Sequence, residues 1–269
     1  MKRSALLALP PVLLLALQGC SLAGQQLGLG MAVVAPTGER SYQLEPGKVR
    51  ERALRERFTP EQLAILEKLN RADVKRLGGL EQLVVPAEWL GDELQYSPFP
   101  AEYAWAAAHP KALVVDQPAQ AFAAYEHGRL VRWGPISSGR ERGLTPSGLF
   151  HLTWRSRGHH SSVDPEWYMP WYFNFHRRRG LAFHQYKLPG HPASHACIRL
   201  LERDAVWLYG WGEGAKGEKR GQTPEPGTPV LILGQYDFGA PPPWRSPQWL
   251  ARGVELPVEV PEPEPRPAG

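Results

Sequence analysis

The sequence predicts a mainly β protein, α+β overall, in which a β-sandwich or barrel-like domain with one or two helices follows a small helical module. Short apolar runs bounded by turn residues recur between residues 111 and 233, as strands do. Residues 202–211 instead repeat apolar side chains at helical spacing, and a second helix signal begins at Thr59. Many short strands with few helices are typical of a sandwich or a barrel.

Residues 1–19 are predicted to be a signal peptide and not part of the fold. Lys2 and Arg3 precede an apolar run that is too short to span a bilayer, and this run ends at Gly19-Cys20. The ending resembles the bacterial lipoprotein signal, in which the cysteine becomes the lipidated first residue. We therefore expect an exported protein in the cell envelope, periplasmic or at the cell surface, anchored to a membrane by lipid on Cys20. An ordinary secretory signal that is cleaved elsewhere is the alternative.

The composition indicates a chain that mostly folds and that does not bind nucleic acid. Hydrophobic residues make up 42% of the chain and charged residues 22%. The formal net charge is only +4, and no long basic run or basic-aromatic patch is present, so a nucleic-acid partner is not expected.

A tether at 21–41 and a small module at 42–86 precede the β-rich part of the chain. Thr59-Pro60 followed by Gln62 is a strong helix start, with threonine as N-cap and proline at the first helical position. The module resembles a degenerate LysM repeat, which implies binding to glycan strands, although a plain helical spacer fits as well. The matching residues are Tyr42, Leu44, Pro46, Gly47, Leu69-Asn70-Arg71 and Leu83-Val84-Val85-Pro86.

Three further regions follow this module. Residues 87–110 are expected to be a connector, residues 111–233 a catalytic domain, and residues 239–269 a proline-rich tail that is extended or disordered. The strands expected in the catalytic domain are Ala112–Asp116, Ala121–Tyr125, Leu130–Ile136, Gly148–Trp154, Leu181–His184 and Pro229–Leu233, with a helix at Glu202–Trp211 and a hairpin turn at residues 126–129.

The most informative feature of the chain is its single late thiol. Cys197 is the only cysteine after residue 20, and it lies in a segment that also contains His184, His191 and His195. In an exported protein such a thiol, with imidazoles nearby, indicates a nucleophile, because an imidazole can generate the reactive thiolate.

Four blocks in order give this region a family resemblance. They are Ser137-Ser138-Gly139-Arg140, Thr145-Pro146-Ser147-Gly148-Leu149-Phe150, Ala182-Phe183-His184 and Ser194-His195-Ala196-Cys197-Ile198-Arg199-Leu200. Their types and order resemble the L,D-transpeptidase catalytic domain, also called the YkuD family. The resemblance covers residues 111–233.

The resemblance implies acyl transfer on peptidoglycan stem peptides without a cofactor or a metal. The family attacks the L,D bond between residues three and four of a tetrapeptide stem, releases D-Ala and forms a thioester. A second stem amine, a protein lysine or water then takes the acyl group, giving crosslinks, protein attachment or L,D-carboxypeptidase activity.

The resemblance also implies roles for individual residues. The expected catalytic residues are Cys197 as nucleophile, His184 as general base and His195 beside the acyl pocket. Backbone groups at Ala196 and Gln185 are expected to form the oxyanion hole and to orient His184, with the N–H groups of His195 and Cys197 also contributing to the hole. A helix after the cysteine is expected to stabilise the thiolate through its dipole. Substrate contacts are expected from Arg199, Ser194 and Tyr186, with a pairing of Arg199 to Glu202 or Asp204 as the alternative.

Two departures from the family pattern concern activity. Ala196 and Gln185 stand where the family has glycine. If the backbone at Ala196 needs a positive φ, its Cβ costs on the order of 1 kcal/mol. These departures keep open a second hypothesis, a catalytically inactive wall-binding lipoprotein.

A third hypothesis is a zinc protein that uses His184, His191, His195 and Cys197 as ligands, since zinc accepts this ligand set. Pro192 argues against a regular helix that would align His191 with His195. Upstream, the aromatic cluster Trp167, Tyr168, Trp171 and Tyr172 is expected to form a lid or to pack in the core. His159, His160 and His176 are expected on the surface of a mobile loop.

Overall fold

The computed structural model describes residues 41–161, 164–217 and 225–260, which all lie within one compact unit, Val33–Gly269. The predicted signal peptide, Cys20, the tether up to residue 40 and the tail after residue 260 lie outside the described residues. Within the described ranges, no helix has the length and apolarity needed to cross a membrane.

The module at 42–86 places three helices between two paired strands. Its elements are β1 (Tyr42–Pro46), α1 (Glu51–Arg57), α2 (Pro60–Asn70), α3 (Val74–Leu77) and β2 (Gln82–Pro86). β1 and β2 are antiparallel, and a small core of leucines joins the helices to β2. The predicted start of α2 is confirmed, because the Thr59 side chain accepts from Gln62 N while the Gln62 side chain accepts from Thr59 N.

A nine-stranded sheet dominates the rest of the chain and confirms the mainly β class. Its spatial order is β6-β11-β3-β4-β5-β10-β9-β8-β7. The strands are β3 (Lys111–Asp116), β4 (Ala121–Glu126), β5 (Arg129–Ser137), β6 (Gly148–His151), β7 (Arg155–His160), β8 (Tyr168–His176), β9 (Leu181–Gln185), β10 (Ile198–Leu200) and β11 (Pro229–Leu233). The predicted hairpin turn between β4 and β5 is also confirmed, because His127 and Gly128 both have positive φ, as its two central residues require.

Both faces of the central strands are buried. On β3, Ala112 and Val114 contribute to one core, whereas Leu113 and Val115 contribute to the other. The predicted helix α5 (Glu202–Trp211) packs on the second face through Ala205 and Leu208. A sheet buried on both sides needs a covering layer on each.

The connector and the described part of the proline-rich tail belong to the covering layer on the first face. The connector contains a 3₁₀ turn (Glu93–Tyr96) and α4 (Ala104–Ala107), and it buries Tyr96, Phe99 and Tyr103 in the first core. It is therefore part of the packed structure.

The described part of the proline-rich tail also differs from the expected extended or disordered segment. It forms a 3₁₀ turn (Pro243–Arg245) and α6 (Pro247–Arg252), in which Ser246 caps the helix by accepting from Trp249 N. The physical reason is Trp244, which is only 1% exposed and packs in the first core. Leu250 is buried in the same core, and Trp249, Val254 and Leu256 pack against it, so several apolar side chains anchor this segment.

Strands β7 and β8 pair antiparallel, which corrects the expectation of a mobile loop for the three histidines on them. His159 and His160 lie on β7 opposite Met169 and Tyr168, and His176 ends β8. The His159 ring lies 4.4 Å from that of Tyr172, between centroids. β7 is a polar edge strand, RSRGHH, and it lacks the β-branched alternation that makes a strand recognisable from sequence.

Helix α2 and the turn after it attach the module to the nine-stranded sheet through buried polar groups. Arg71 Nε donates to Ala119 O at 2.8 Å, and its guanidinium lies over the rings of Trp133 and Trp244. Lys68 Nζ donates to Trp133 O at 2.8 Å and pairs with Glu93 at 2.9 Å. Because buried charges are costly without such partners, these contacts fix the module against the sheet.

The same module also holds the loop that leaves β9. Asp73 N donates to Leu188 O at 3.0 Å, Leu188 N donates to Asp73 Oδ2 at 2.9 Å, and Gly190 N donates to Arg71 O at 3.1 Å. Leu188 itself is fully buried. The segment between the last residue of β9 and the loop that contains Cys197 is therefore fixed by residues outside the sheet.

We predict that Asp73→Ala lowers the free energy of unfolding by about 1–3 kcal/mol, because it leaves the buried Leu188 N–H without an acceptor. Asp73→Asn keeps an acceptor oxygen for that N–H and loses only the partly exposed pair with Arg76, so its loss should be smaller. Denaturant unfolding of both variants checks this. An equal loss in the two would show that the hydrogen bond to Leu188 contributes little.

Candidate active site

The parallel pairing of β9 with β10 determines which side chains share a face. Phe183 lies opposite Ile198, and His184 lies opposite Arg199. Phe183, Ile198 and Leu200 point into the second core. Because side chains alternate along a strand, His184 and Arg199 point to the other face, and Cys197, two residues before Arg199, points there too.

That other face is the floor of a groove. Cys197, His184 and Arg199 all line it, as do the predicted substrate contacts Ser194 and Tyr186 and the predicted His195. The groove thus brings together the six site residues that the sequence analysis proposed to act through their side chains. Its other lining residues are His159, Ser161, Trp167, Met169, Arg179, Gly180 and Leu181.

The Ser-Ser-Gly-Arg block positions the segment that contains the thiol. Ser138 O accepts from Ala193 N at 3.1 Å and from Ser194 N at 3.0 Å, and Arg140 N donates to Ser194 O at 2.9 Å. Gly139 must be glycine, because a Cβ there would lie 2.1 Å from Gly143 O. This block therefore acts as a backbone template and not as a set of reacting side chains.

Thr145, the first residue of the second block, links the loop of Gly139 to the loop of Ala196. Its Oγ1 accepts from Gly139 N and donates to Ala196 O, both at 2.9 Å. The side chain is fully buried. The threonine hydroxyl therefore holds the backbone directly before Cys197.

The backbone at Ala196 has a φ of 92°. This is a region that residues with a Cβ rarely adopt, so Ala196 is strained where glycine would not be. The expected cost of a Cβ at a positive φ, on the order of 1 kcal/mol, therefore applies to Ala196.

The His184 ring is oriented by its own strand. Nδ1 lies 3.0 Å from Gln185 O, and since a carbonyl only accepts, Nδ1 carries the proton and Nε2 is left unprotonated. The orienting contact predicted at Gln185 is present. Burial lowers the pKa of His184 to about 4, opposed by the Gln185 contact and aided by the nearby Arg199 charge.

Burial also disfavours the charged form of the Cys197 thiol, and its pKa shifts in the opposite direction. Burial raises its pKa, while the Ala182 N–H, which donates to the sulfur, and the Arg199 charge lower it. Within the described residues, the thiol and the His184 ring make no hydrogen bond to each other. At neutral pH the resting pair is therefore a neutral thiol and a neutral imidazole.

The expected helix dipole at the thiol is not present. Cys197 is followed by β10, and α5 begins only at Glu202. Dipole effects fall off within the first turn of a helix, so α5 does not act on the sulfur. The sequence analysis missed the short strand because three residues carry no periodicity.

The three backbone N–H groups expected at the oxyanion hole are available to a ligand. None of the backbone hydrogen bonds described outside the regular elements uses the N–H of His195, Ala196 or Cys197. Buried backbone donors are normally paired, so N–H groups beside the thiol that have no partner among the described residues are suited to a developing oxyanion.

His195 lies at the rim of the groove. It is exposed, its ring centroid lies 4.6 Å from that of Trp167, and its Nε2 contacts Arg140. The pKa of His195 is lowered by partial burial and by the Arg140 and Arg199 charges. A neutral, exposed ring packed on an aromatic is suited to bordering a substrate.

The four side chains that the zinc hypothesis requires do not form a metal site in the described residues. Within the described residues, no group of three His, Cys, Asp or Glu side chains could hold a metal ion. His191 instead lies away from the groove lining, and its carbonyl accepts from Ser137 Oγ.

Arg199 is not paired with either acid that had been considered for it. Asp204 is fully buried and pairs with Arg132 at 2.7 Å. The Arg199 guanidinium lies 4.6 Å from the Tyr186 ring centroid. Within the described residues it makes no ion pair.

Of the upstream aromatic cluster, only Trp167 lines the groove. Tyr172 is buried, and Trp171 packs edge-on against Tyr209. Arg179 lines the groove although the sequence analysis did not single it out. Its place depends on a turn between β8 and β9, and the only signal for it was a run of three arginines.

Comparison with known families matches the L,D-transpeptidase catalytic domain, YkuD, to residues 110–232. No curated relative matches the chain. Solved structures that resemble it include an L,D-transpeptidase from Stackebrandtia nassauensis, at 21% identity and a TM-score of 0.39 over 48% of this chain and 57% of that one. One from Mycobacterium smegmatis has 20% identity and a TM-score of 0.38 over 46% and 59%. One from Mycobacterium tuberculosis H37Rv has 22% identity and a TM-score of 0.36 over 46% and 58%. The chain thus spans less than two thirds of the length of each.

We predict that Ala196→Gly is about 1–2 kcal/mol more favourable to the free energy of unfolding than the control Ala193→Gly. Glycine relieves the strain at the positive φ of Ala196, whereas Ala193 has no positive φ and only gains unfolded-state freedom. Thermal or denaturant unfolding of the two variants measures the difference. Equal destabilisation by both substitutions would contradict the assignment of strain to Ala196.

Proposed function

Because residues 110–232 of this chain belong to the YkuD family of L,D-transpeptidase catalytic domains, we propose that the protein is a cell-wall L,D-transpeptidase with Cys197 as its nucleophile. The observation that carries the proposal is the common groove of Cys197 and His184, with three free backbone N–H groups beside the sulfur. The substrate is the tetrapeptide stem of peptidoglycan.

In the first step the Cys197 sulfur attacks the carbonyl carbon of the bond between residues three and four of the stem. The C–S bond forms and the C–N bond breaks, so that a thioester remains and D-Ala leaves as an amine. The proton of the thiol passes to His184 Nε2 and from there to the leaving nitrogen. The Nδ1 contact with Gln185 O keeps Nε2 free for this transfer.

The neutral resting state of Cys197 and His184 determines when the thiol proton is transferred. Since the pKa of the thiol is raised and that of the imidazole is lowered, the ion pair is unfavourable before substrate binds. Proton transfer therefore accompanies C–S bond formation, and the sulfur does not wait as a thiolate. His184 is a general base in this mechanism.

The backbone N–H groups of His195, Ala196 and Cys197 stabilise the oxygen of the tetrahedral intermediate. Removal of one such donor typically raises the barrier by about 2.7–4 kcal/mol. The positive φ at Ala196 and the Thr145 contact with Ala196 O turn the peptide groups before the sulfur in a fixed direction. Local strain is thus retained at the place where the oxyanion would form.

In the second step an amine of another stem attacks the thioester and forms a crosslink. A protein lysine would give protein attachment, and water would give L,D-carboxypeptidase activity. All three acceptors share one acyl-enzyme. The open groove beside the sulfur supports access by an amine.

Export and lipid anchoring at Cys20 remain part of the proposal and rest on residues 1–20 of the sequence. Binding of glycan strands by the module at 42–86 is likewise a prediction, because the family match begins after it. Both fit an enzyme whose substrate lies outside the cytosol.

A catalytically inactive wall-binding protein is the second candidate. Two observations favour it: the strained alanine at 196, and a thiol that is not hydrogen-bonded to His184. Apo active sites often show long catalytic contacts that tighten only with substrate, so the second observation does not decide between the two.

We predict that incubation with a tetrapeptide stem or a carbapenem adds a covalent acyl mass to Cys197, because the sulfur is the group at the groove floor that can form a thioester. Intact-protein mass spectrometry measures the adduct. Cys197→Ala should give none. His184→Gln should slow its formation by about 10²–10⁴-fold, the usual contribution of a general base.

An unmodified mass for folded wild-type protein with both reagents would favour the inactive wall-binding protein. The control His191→Gln, outside the groove lining, should form the adduct at the wild-type rate.

A further inference from the structure

The Arg199 guanidinium lacks a carboxylate partner in a half-buried position. It packs against the Tyr186 ring and lines the groove, and within the described residues it makes no ion pair. Guanidinium groups that are partly removed from water are normally paired with an acid. An oriented and unpaired one at a groove indicates a ligand that supplies the negative charge.

A second guanidinium lines the same groove. Arg179 ends the 3₁₀ turn Arg177–Arg179 just before β9, is exposed, and makes no ion pair within the described part of the chain. No aspartate or glutamate is among the groove-lining residues. The groove therefore carries positive charge without a compensating acid.

The order of residues along β9 separates these two charges. Arg179 lies before the strand begins, and Arg199 lies opposite His184 near the strand's other end. Between them, Cys197 directly precedes Ile198, the partner of Phe183, and its sulfur accepts from the Ala182 N–H. One charge thus lies on each side of the thiol along the groove.

This spacing of the two arginines corresponds to the carboxylates that a stem peptide can carry on either side of its scissile amide bond. The carboxylate of the leaving D-Ala is attached one atom beyond the scissile nitrogen, so it stays close to the sulfur. Arg199 lies two strand residues from Cys197, about 7 Å along the backbone, which is within reach of that carboxylate. A carboxylate at the end of the long side chain of residue three would lie further from the sulfur, because the whole side chain separates it from the attacked carbonyl.

We propose that Arg179 is a specificity-determining residue that selects donor stems whose third residue carries a free side-chain carboxylate. Diaminopimelate in its acid form meets this requirement, whereas its amide and lysine do not. The guanidinium plane is suited to bidentate binding of that group. The inference rests on the proposed transpeptidase function and adds the class of diamino acid.

The experiment compares three tetrapeptide stems that differ only at residue three: free-acid diaminopimelate, its amide and lysine. Release of D-Ala by the full-length protein gives kcat/KM for each. The expected result is a preference of about tenfold or more for the free acid, since a charge-assisted contact is lost with the other two. Arg179→Gln should reduce this preference to about threefold or less, by lowering kcat/KM for the free acid.

Arg178→Gln is the matched control, because Arg178 is the exposed neighbour on the same turn and does not line the groove. It should keep the wild-type preference. Carbapenem acylation of each variant reports a working nucleophile independently of residue three.

Equal kcat/KM for the three stems, with normal acylation, would overturn this inference and leave the proposed function intact. A preference that survives in Arg179→Gln would overturn the role of Arg179. Failure of every stem and of the carbapenem to acylate Cys197 would overturn the proposed function itself.

Discussion

The parallel contact between β9 and β10 is the constraint on which the site depends. His184 and Cys197 lie on different segments of the chain, and the register of Phe183 with Ile198 brings them to one face. The opposite face is filled by Phe183, Ile198 and Leu200, so a one-residue slip would turn these core side chains toward the groove and the imidazole into the apolar core. The packing of the core therefore protects the geometry of the groove.

The covering layers of the sheet have a part in the same geometry. Buried Arg71 and Lys68 join the small module to the central strands, and Asp73 and Arg71 hold the backbone between Leu188 and Gly190. This segment connects the strand of His184 to the loop of Cys197. The module is therefore part of the support of the groove.

Local chemistry could be predicted from the sequence, and long-range packing could not. The Thr59 capping box, α5 and the four ordered blocks are local patterns, and the groove contains the residues that the last two blocks named. The burial of Trp244 depends on contacts with distant segments, which leave no periodic signal. The β7–β8 hairpin and the turn that places Arg179 are local, but β7 has no apolar residue and the turn is a run of arginines, so neither shows an apolar pattern. The helix-dipole expectation failed because a three-residue strand intervenes before Glu202.

The central claim is that Cys197 and His184 rest as a neutral pair and exchange a proton only as the substrate is attacked. Burial disfavours the charged form of each group, so the thiol pKa is raised and the imidazole pKa falls to about 4. Thiolate absorbance near 240 nm, taken as the difference between wild type and Cys197→Ala across pH, tests this most directly. The account predicts no thiolate signal at neutral pH and a single step above the ordinary thiol pKa. A step below neutral pH would show a preformed thiolate–imidazolium pair and contradict it.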